Sequence, residues 1–316
     1  MPVLDEEAHL EEAVGAILAS EYAGPLQVVL ALGPSRDATD RIAARLAATD
    51  PRVRTVPNPT GRTAAALNGA IAAADHDIIV RVDGHAVIPR DYIAIAVRTM
   101  EETGADNVGG IMGAEGVTDF ERAVAAAMTS WFGVGGAAFH IGGGAGPALT
   151  VYLGCFRRSA LERVGGFDES MVRAQDWELN HRIRATGGLI WFTPDLRVSY
   201  RPRGSLQRLA RQYHEYGRWR REVARRHPET VSMRYLAPPL ALLGVAGGTL
   251  VGVAGLATGT RVLLLGFALP AGYLAADLIA SARASRGLPW RSARQLPAVF
   301  ATMHGAWGAG FLRGAR

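Results

Sequence analysis

The sequence has no lysine and only one cysteine. Its 34 basic side chains other than histidine are all arginines, and they face 29 acidic ones, which gives a formal charge of +5. Because Ala and Gly are also abundant, we attribute part of the arginine bias to genome composition rather than to function. With Cys155 alone, the chain can form no intrachain disulfide and no cysteine-based zinc cluster.

We also expect no signal peptide. The opening residues, "MPVLDEEAHLEEAV", contain neither a basic region nor an apolar run. We therefore expect the bulk of the chain to face the cytoplasm. The 316 residues are 49% hydrophobic, which is high for a purely soluble enzyme, and their number allows one large domain or two ordinary ones.

Residues 1–204 alternate short β-rich runs with helical patterns. "LQVVLAL" (26–32) and "DIIVRV" (77–82) are typical of fully buried strands, and "TAAALNGAIAAA" (63–74) is typical of a helix. Asp5 is available as the N-cap of the first helix. Continuous apolar strands separated by helices predict a parallel sheet covered on both faces, and hence an α/β domain.

The residue composition and the hydrophobic pattern change after this domain. Residues 205–226 form an amphipathic helical pattern with arginines along one face. Such a helix either packs on its own domain or lies at a membrane surface, with its arginines towards anionic headgroups. The apolar segments that follow favour the second interpretation, so we assign residues 205–230 to a basic interfacial helix.

Residues 231–316 read as a membrane region with two apolar helices and a marginal third. Residues 235–257 carry no charge and suffice to cross a hydrocarbon core of ~30 Å, and residues 262–282 can cross back, with Asp277 near the far end. Arginines outside this pair put both flanks in the cytoplasm. Residues 296–312 read as interfacial or re-entrant. The alternative is a very apolar helical bundle in a soluble protein. Nucleic-acid binding is not expected, because the basic cluster adjoins apolar spans rather than a groove-reading motif.

The first candidate for chemistry is "DGH", which follows the run 77–82. In open α/β sheets, ligands bind at the carboxyl ends of strands, where Asp83 and His85 would lie, and Gly84 lets both side chains face the same side. A carboxylate with an imidazole suits Mg²⁺ or Mn²⁺ on a diphosphate, and the imidazole favours Mn²⁺. Alternatively, Asp83 caps the following turn and His85 is an ordinary surface residue.

Two further candidates stand at helix starts. Asp176 precedes a helix in "AQDWELNHRIR" and is either a cap or a general base that takes a proton from a hydroxyl nucleophile. The loop "RVGGFDES" (163–170) is expected to pack below it. Arg62 and Asn68 surround a helix start in "NPTGRTAAALNGAI", which suits a phosphate or nucleotide ligand. Alternatively, the segment with Arg62 and Asn68 is an ordinary capped surface helix whose arginine is solvated.

Taken together, these motifs resemble family 2 glycosyltransferases, in the branch with succinoglycan-type exopolysaccharide transferases. The resemblance covers residues 1–226 and lies in the order of several motifs: "PVLDEEAHLEEAV", "GPSRDATDRIA", "RVDGHA", "GGFDES…AQDWELNHRIR" and "RQYHEYGRWRR". It implies an α/β fold of the GT-A type, with a mostly parallel nucleotide-sugar-binding sheet flanked by helices, followed by C-terminal membrane helices.

The resemblance also implies roles for individual residues. Asp83 and His85 would hold Mn²⁺ or Mg²⁺, and Asp176 would be the base that activates the acceptor. Arg218 and Trp219 would close over the diphosphate or the acceptor. The residues that would line the nucleotide sugar are Glu6, Asp37, Arg62, Asn68 and Asp83.

Four positions depart from the family pattern. Asp5 replaces the usual Asn, and Leu32 replaces an Asp that contacts uracil in many members, so the sequence does not predict UDP as the nucleotide. His85 replaces the second acid of the metal site, and Gln175 replaces the usual Glu before the base.

The function that we expect is an inverting, metal-dependent, membrane-anchored glycosyltransferase. It would move a sugar from a nucleotide-sugar donor to a glycan or lipid-linked acceptor at the cytoplasmic leaflet. Two alternatives stay open. One is a nucleotidyltransferase of the same fold, and the other is a non-catalytic membrane scaffold that retains the fold.

The start of the chain carries a separate expectation. In the family that the sequence resembles, a buried central strand precedes the Pro-x-x-Asn-Glu loop, but here only Met1, Pro2, Val3 and Leu4 precede Asp5. A missing central strand leaves backbone groups unpaired at a cost of ~1–3 kcal/mol each if they are buried. We therefore expect the natural start to lie several residues upstream.

Overall fold

The computed structural model describes residues 1–315. Contacts within the chain divide these residues into two units. The first contains Met1–Gly113 and Ala137–Tyr200, and the second contains Ala114–Gly136 and the chain from Arg201 onwards. The excursion 114–136 therefore groups with the C-terminal helices, which a continuous domain over residues 1–204 did not anticipate. The functional assignment of residues 205–230 and 231–316 stays a prediction.

Eight strands and fourteen helices make up the described chain. The strands are β1 Pro2–Val3, β2 Val28–Leu32, β3 Val53–Pro57, β4 Ile78–Val80, β5 Asn107–Ala114, β6 Gly146–Pro147, β7 Tyr152–Arg157 and β8 Ile190–Tyr200. The helices are α1 Leu10–Leu18, α2 Thr39–Thr49, α3 Thr63–Ala73, α4 Tyr92–Thr103, α5 Asp119–Met128, α6 Trp131–Val134, α7 Ala138–Ile141, α8 Arg158–Val164, α9 Gln175–Ala185, α10 Leu206–Arg226, α11 Met233–Thr258, α12 Ala268–Ala284, α13 Trp290–Ala293 and α14 Leu296–Arg313. Short 3-10 segments cover Pro228–Thr230 and Arg261–Phe267.

The first unit is the α/β part of the chain. Strands β1, β2 and β3 form a fully parallel sheet. A second sheet has the order β4-β7-β5-β8-β6, in which the pairs β4–β7, β5–β7 and β6–β8 are antiparallel. The predicted α/β architecture is confirmed. The antiparallel pairs were not predicted, because a fully buried strand reads as the same apolar run in either direction.

Helix α1 shows how the sequence pattern builds this core. Leu10, Val14 and Ile17 recur at helical spacing and are all buried, as are four consecutive residues of β2. Full burial of each such aliphatic side chain stabilises the fold by about 1.5–3 kcal/mol. The predicted N-cap is wrong: His9 holds the cap position without a side-chain bond, and Asp5 Oδ1 instead accepts from the backbone N–H of Arg36 at 2.7 Å.

Strand β1 is a two-residue stub. Its pairing partners in β2 are Ala31 and Leu32, and the Met1 ammonium donates to the carbonyl of Val29 at 2.8 Å. Within residues 1–315, no strand pair links β1 to β4. A cavity of about 250 Å³ is lined on one side by the first residues of β2 and on another by Ile78 and Val80 of β4. An upstream start of the natural chain stays a prediction.

In the second unit, α10 and α14 pack backbone against backbone. A Cβ added to Gly217 of α10 would lie 2.0 Å from the Trp307 carbonyl oxygen, and one added to Gly310 of α14 would lie 2.0 Å from that of His214. Leu209, Tyr213 and Val223 of α10 are buried, whereas Leu206 and Tyr216 are exposed. This contact is with another helix of the same unit, and a position of α10 at a membrane surface stays a prediction.

Two stretches of this unit are long and apolar enough to cross a membrane by length and composition. They are Met233–Thr258 and Arg261–Ala284, and only 17% and 6% of their most apolar parts are buried. A core helix of a soluble protein would be mostly buried, so this exposure distinguishes both stretches from core helices. Helix α14 differs from these two exposed stretches in its burial. It is one unbroken helix, and its residues Leu296, Val299 and Phe300 are buried.

Candidate active site

A pocket of about 230 Å³ opens at the carboxyl ends of three strands in the first unit. The chain segments that follow β1, β3 and β4 all contribute to it, which is where an α/β sheet places its ligands. The pocket contains three of the predicted site residues, Glu6, Asp83 and His85. Its complete lining is Pro2, Val3, Leu4, Glu6, Asn58, Gly61, Thr63, Ala66, Arg81, Asp83, Gly84, His85, Arg173 and Gln175.

Asp83 is held by a buried arginine two residues before it. Arg81 donates from Nη2 and Nε to Oδ1 of Asp83, at 2.9 Å and 3.1 Å. Burial by itself would raise the pKa of Asp83, but the Arg81 guanidinium outweighs it and holds that pKa below its ordinary value. Asp83 is therefore a carboxylate at neutral pH and presents negative charge to the pocket.

His85 is oriented by Glu6. The ring Nδ1 of His85 lies 2.7 Å from Oε1 of Glu6, and the backbone N–H of Glu6 is fixed in turn by the Thr39 hydroxyl at 2.7 Å. A carboxylate on one ring nitrogen sets the tautomer and directs the other nitrogen outward, as in many metal-binding histidines. The pair of Asp83 and an oriented imidazole is thus a donor set that fits Mn²⁺ or Mg²⁺. The sequence assigned Glu6 to the nucleotide and did not reveal this second contact.

Asp176 lies in the first turn of α9 and binds the same arginine as Asp83 does. Arg81 Nη1 donates to Asp176 Oδ1, so one guanidinium bridges the two acids. Helix α9 starts after Ala174, which has a positive φ of 60°, and its N-cap makes no side-chain hydrogen bond. Asp176 therefore does not act as the N-cap here, and 40% of its side chain is exposed. Its role as a base stays a prediction.

The segment 163–170, whose first two residues end α8, is fixed to α9 through a part-buried ion pair. Arg182 pairs with Glu178 through Nε and Nη2, both at 2.8 Å, and donates to the carbonyls of Val164 and Gly166 at 2.6 Å and 2.8 Å. A bidentate pair that also satisfies two carbonyls is rigid. These contacts pack the segment against α9, and its support of Asp176 stays a prediction.

Asn68 and Arg62 contact the same loop and do not line the pocket. Asn68 Nδ2 donates to Phe167 O at 2.8 Å and to Glu169 Oε1 at 3.0 Å, and Asn68 Oδ1 accepts from the Phe167 N–H at 2.8 Å. Arg62 Nη1 reaches Glu169 O at 3.5 Å. Their predicted contact with the nucleotide stays a prediction, and the contacts seen here are with protein.

Asp37 joins two loops outside the pocket lining. Its Oδ1 accepts from the backbone N–H of Thr39 at 3.0 Å and from the Thr39 hydroxyl, and its Oδ2 accepts from the Glu7 N–H at 3.1 Å. The Thr39 hydroxyl contributes most to holding the pKa of Asp37 below its ordinary value. Asp37 thus ties the start of α2 to the loop that carries Glu6.

Arg218 and Trp219 belong to α10 in the second unit. Arg218 Nε donates to the Gly314 carbonyl at 3.1 Å, and its Nη1 pairs with Glu215 at 2.9 Å. The guanidinium therefore satisfies the C-terminal end of α14. Trp219 is half-buried. That these two residues close over the donor or acceptor stays a prediction.

Arg81 is the site residue that the sequence analysis missed. It interrupts the apolar run "IIVRV", and only 8% of it is exposed. A charge inside a buried strand requires an opposite charge nearby, and this was the available signal. The acid two residues later, Asp83, indicated one partner, whereas Asp176 lies 95 residues away in sequence and could not be inferred.

Solved structures with the same architecture define the fold class. A mannosyltransferase from Pyrobaculum calidifontis, PcManGT, solved in complex with GDP-Man and Mn²⁺, aligns with a TM-score of 0.60 at 22% identity, over 99% of this chain and 84% of that one. S. aureus TarS in complex with UDP aligns with a TM-score of 0.50 at 14% identity, over 98% and 88% of the two chains. The protein has the GT-A fold, as the resemblance implied.

Sequence comparison gives the family. The family model for "Glycosyl transferase family 2" matches residues 1–165. Succinoglycan biosynthesis protein ExoA of Rhizobium meliloti (strain 1021) is 35% identical over 255 residues, which is 80% of this chain and 77% of that protein. The chain belongs to glycosyltransferase family 2, and it is a glycosyltransferase.

Proposed function

We propose that this protein is an inverting, metal-dependent glycosyltransferase of cell-envelope or exopolysaccharide synthesis. It takes a sugar from a nucleotide-sugar donor and transfers it to a glycan or lipid-linked acceptor at the cytoplasmic face of the membrane. The observation that carries the proposal is that Asp83 and Asp176 bind one buried guanidinium at the edge of one pocket. Two acids with separate tasks, one towards a diphosphate and one towards an acceptor, suit that arrangement.

The donor diphosphate would bind at Asp83 and His85. A divalent cation on these two side chains would supply positive charge to the leaving diphosphate. Glu6 keeps the His85 ring in one orientation through the 2.7 Å contact. PcManGT, solved with GDP-Man and Mn²⁺, has the same fold and makes a divalent metal a reasonable choice. Because His85 supplies a nitrogen ligand, Mn²⁺ is the preferred ion.

Asp176 would act on the acceptor. Arg81 occupies its Oδ1, and 40% of the side chain is exposed, so a hydroxyl group can approach the carboxylate. Asp176 accepts the hydroxyl proton while the oxygen attacks the anomeric carbon. The bond from that carbon to the diphosphate breaks on the opposite side, which inverts the configuration.

The C-terminal helices and the relationship to ExoA point to the kind of acceptor. Met233–Thr258 and Arg261–Ala284 expose apolar surface along lengths that can cross a bilayer. A lipid-linked or growing glycan is presented at such a surface. The relative that is 35% identical over 255 residues is a succinoglycan biosynthesis protein, which supports an exopolysaccharide as the product.

The test is Asp176→Asn in the full-length protein. A panel of UDP-, GDP- and TDP-sugars first identifies the donor that binds, and transfer of its labelled sugar into a membrane lipid extract is then measured. Loss of a general base lowers the rate by ~10²–10⁴, and donor binding should persist. The matched control is Asp195→Asn, which removes an exposed carboxylate of the same unit. Transfer by Asp176→Asn within about tenfold of the wild-type rate would exclude the base assignment.

A further inference from the structure

Arg81 lies where β4 ends at the pocket, and its main chain is fixed. Its backbone N–H donates to the Gly154 carbonyl of β7 at 3.0 Å. With 8% of the residue exposed, its charge is largely removed from water and is compensated by protein groups. The side chain is therefore anchored at both its root and its tip.

The tip of this side chain holds two acids in a fixed relation. The donors of a guanidinium lie in one plane at fixed angles, so the acids that accept from Nη1 and Nη2 are oriented relative to each other. Here those acids are Asp176 and Asp83. A lysine ammonium would supply the charge without this planar fork.

The two carboxylate oxygens of Asp176 differ in the hydrogen bonds that they accept. Arg81 takes Oδ1, whereas Oδ2 accepts no hydrogen bond from any residue between 1 and 315. A carboxylate that is held at one oxygen keeps the other at a defined position. Proton transfer requires the accepting oxygen to be at a fixed position, because a displacement of ~1 Å can cost about 10²-fold in rate.

We propose that Arg81 is a positioning residue for the transfer reaction. It holds Asp176 in the orientation of an active base. It also fixes the position of that base relative to Asp83, which would bind the diphosphate end of the donor. The proposal rests on the function proposed above for these two acids. In this role Arg81 acts through Asp176.

The test is a double-mutant cycle with Arg81→Lys and Asp176→Asn in the full-length protein. Arg81→Lys alone should lower kcat by about 10- to 100-fold and leave the Kd of the donor within about threefold. In the Asp176→Asn background, the same change should lower the residual rate by less than about twofold, because the group that Arg81 positions is already lost. A general structural role would lower the rate equally in both backgrounds.

Each other outcome has a defined meaning. Equal losses in both backgrounds, or an unchanged kcat in Arg81→Lys, overturn the proposal. Arg81→Gln serves as a second variant, since its amide can donate a hydrogen bond to one of the acids. If both variants lose cooperative melting and donor binding, Arg81 is a folding residue and the proposal is wrong. If Asp176→Asn retains full transfer, the proposed function fails instead, whatever Arg81→Lys does.

Discussion

Replacing Asn68 by alanine should destabilise the first unit more than it weakens donor binding. The side chain makes three hydrogen bonds to the loop 163–170, two of them with the backbone of Phe167 at 2.8 Å. Phe167 is 3% exposed, so its N–H and carbonyl would be left without these partners in a largely buried setting. Each net hydrogen bond contributes about 1 kcal/mol, and the bond to Glu169 is exposed, so the expected loss is about 2–3 kcal/mol.

The assay is thermal unfolding of the full-length protein in detergent, with donor Kd measured on the same samples. For a unit of about 150–250 residues, 1 kcal/mol shifts Tm by about 2–4 °C, so Asn68→Ala should lower Tm by about 4–12 °C. Asn68→Asp should be at least as harmful, because it replaces the donor Nδ2 by an acceptor that faces Glu169. Gln27→Ala is the matched control: it removes an amide that makes two exposed hydrogen bonds with Asp75.

The opposite pattern would refute this reasoning. If Asn68→Ala melts within about 1 °C of the wild type and raises the donor Kd by about tenfold or more, the amide serves the nucleotide and the loop does not depend on it. Equal losses of Tm in Asn68→Ala and Gln27→Ala would also contradict it, because burial of Phe167 would then make no difference.

Three further predictions concern the metal, the membrane and the helix contact. Activity should vanish with EDTA and return better with Mn²⁺ than with Mg²⁺, and His85→Asp should shift the preference towards Mg²⁺; activity that survives chelation contradicts the site at Asp83 and His85. The full-length chain should resist carbonate extraction from membranes. Leu250 is 71% exposed on α11, and Leu250→Arg should reduce the resistant fraction, because an arginine at a span centre costs ~2.5–3.5 kcal/mol. Carbonate release of the wild-type chain would exclude spanning. Gly217→Ala should lower Tm, since its Cβ would lie 2.0 Å from the Trp307 carbonyl, whereas Gly305→Ala enters open space; equal melting of the two refutes the close helix contact.

Local patterns in the sequence predicted most of the first unit. The apolar residues of α1 at spacings of three and four, and the unbroken apolar run of β2, are properties of neighbouring residues. The strand predicted over 26–32 forms over Val28–Leu32. Asp83 and His85 were predicted as site residues for the same reason, because a polar pair directly after an apolar run is a local signal. The pocket at the carboxyl ends of β1, β3 and β4 then follows from the α/β architecture.

Contacts between distant segments were beyond that kind of reasoning. Asn68 meets Phe167 across 99 residues, and Arg81 meets Asp176 across 95. A helical asparagine near a helix start looks the same whether it binds a nucleotide or a loop. The grouping of Ala114–Gly136 with the C-terminal helices likewise depends on tertiary packing, since nothing in that segment marks a domain boundary.

Arg158 shows the same use of arginine away from the pocket. Its guanidinium donates to the carbonyls of Ile71, Ala74 and His76, at distances of 2.6–3.1 Å. These carbonyls belong to the last turn of α3 and to the segment that follows it, where a helix leaves carbonyls without the usual i+4 partner. A cation at a helix C-terminus is also favoured by the helix dipole.

The absence of lysine therefore has a structural counterpart, whatever its origin in genome composition. Arg81, Arg158 and Arg182 each satisfy several acceptors, and each links its own segment of the first unit to another one. One ammonium on a flexible stem cannot fix several acceptors in a plane, whereas a guanidinium can. In this protein, arginine links segments that are distant in sequence, and Arg81 holds Asp176 and Asp83 beside the pocket in the same way.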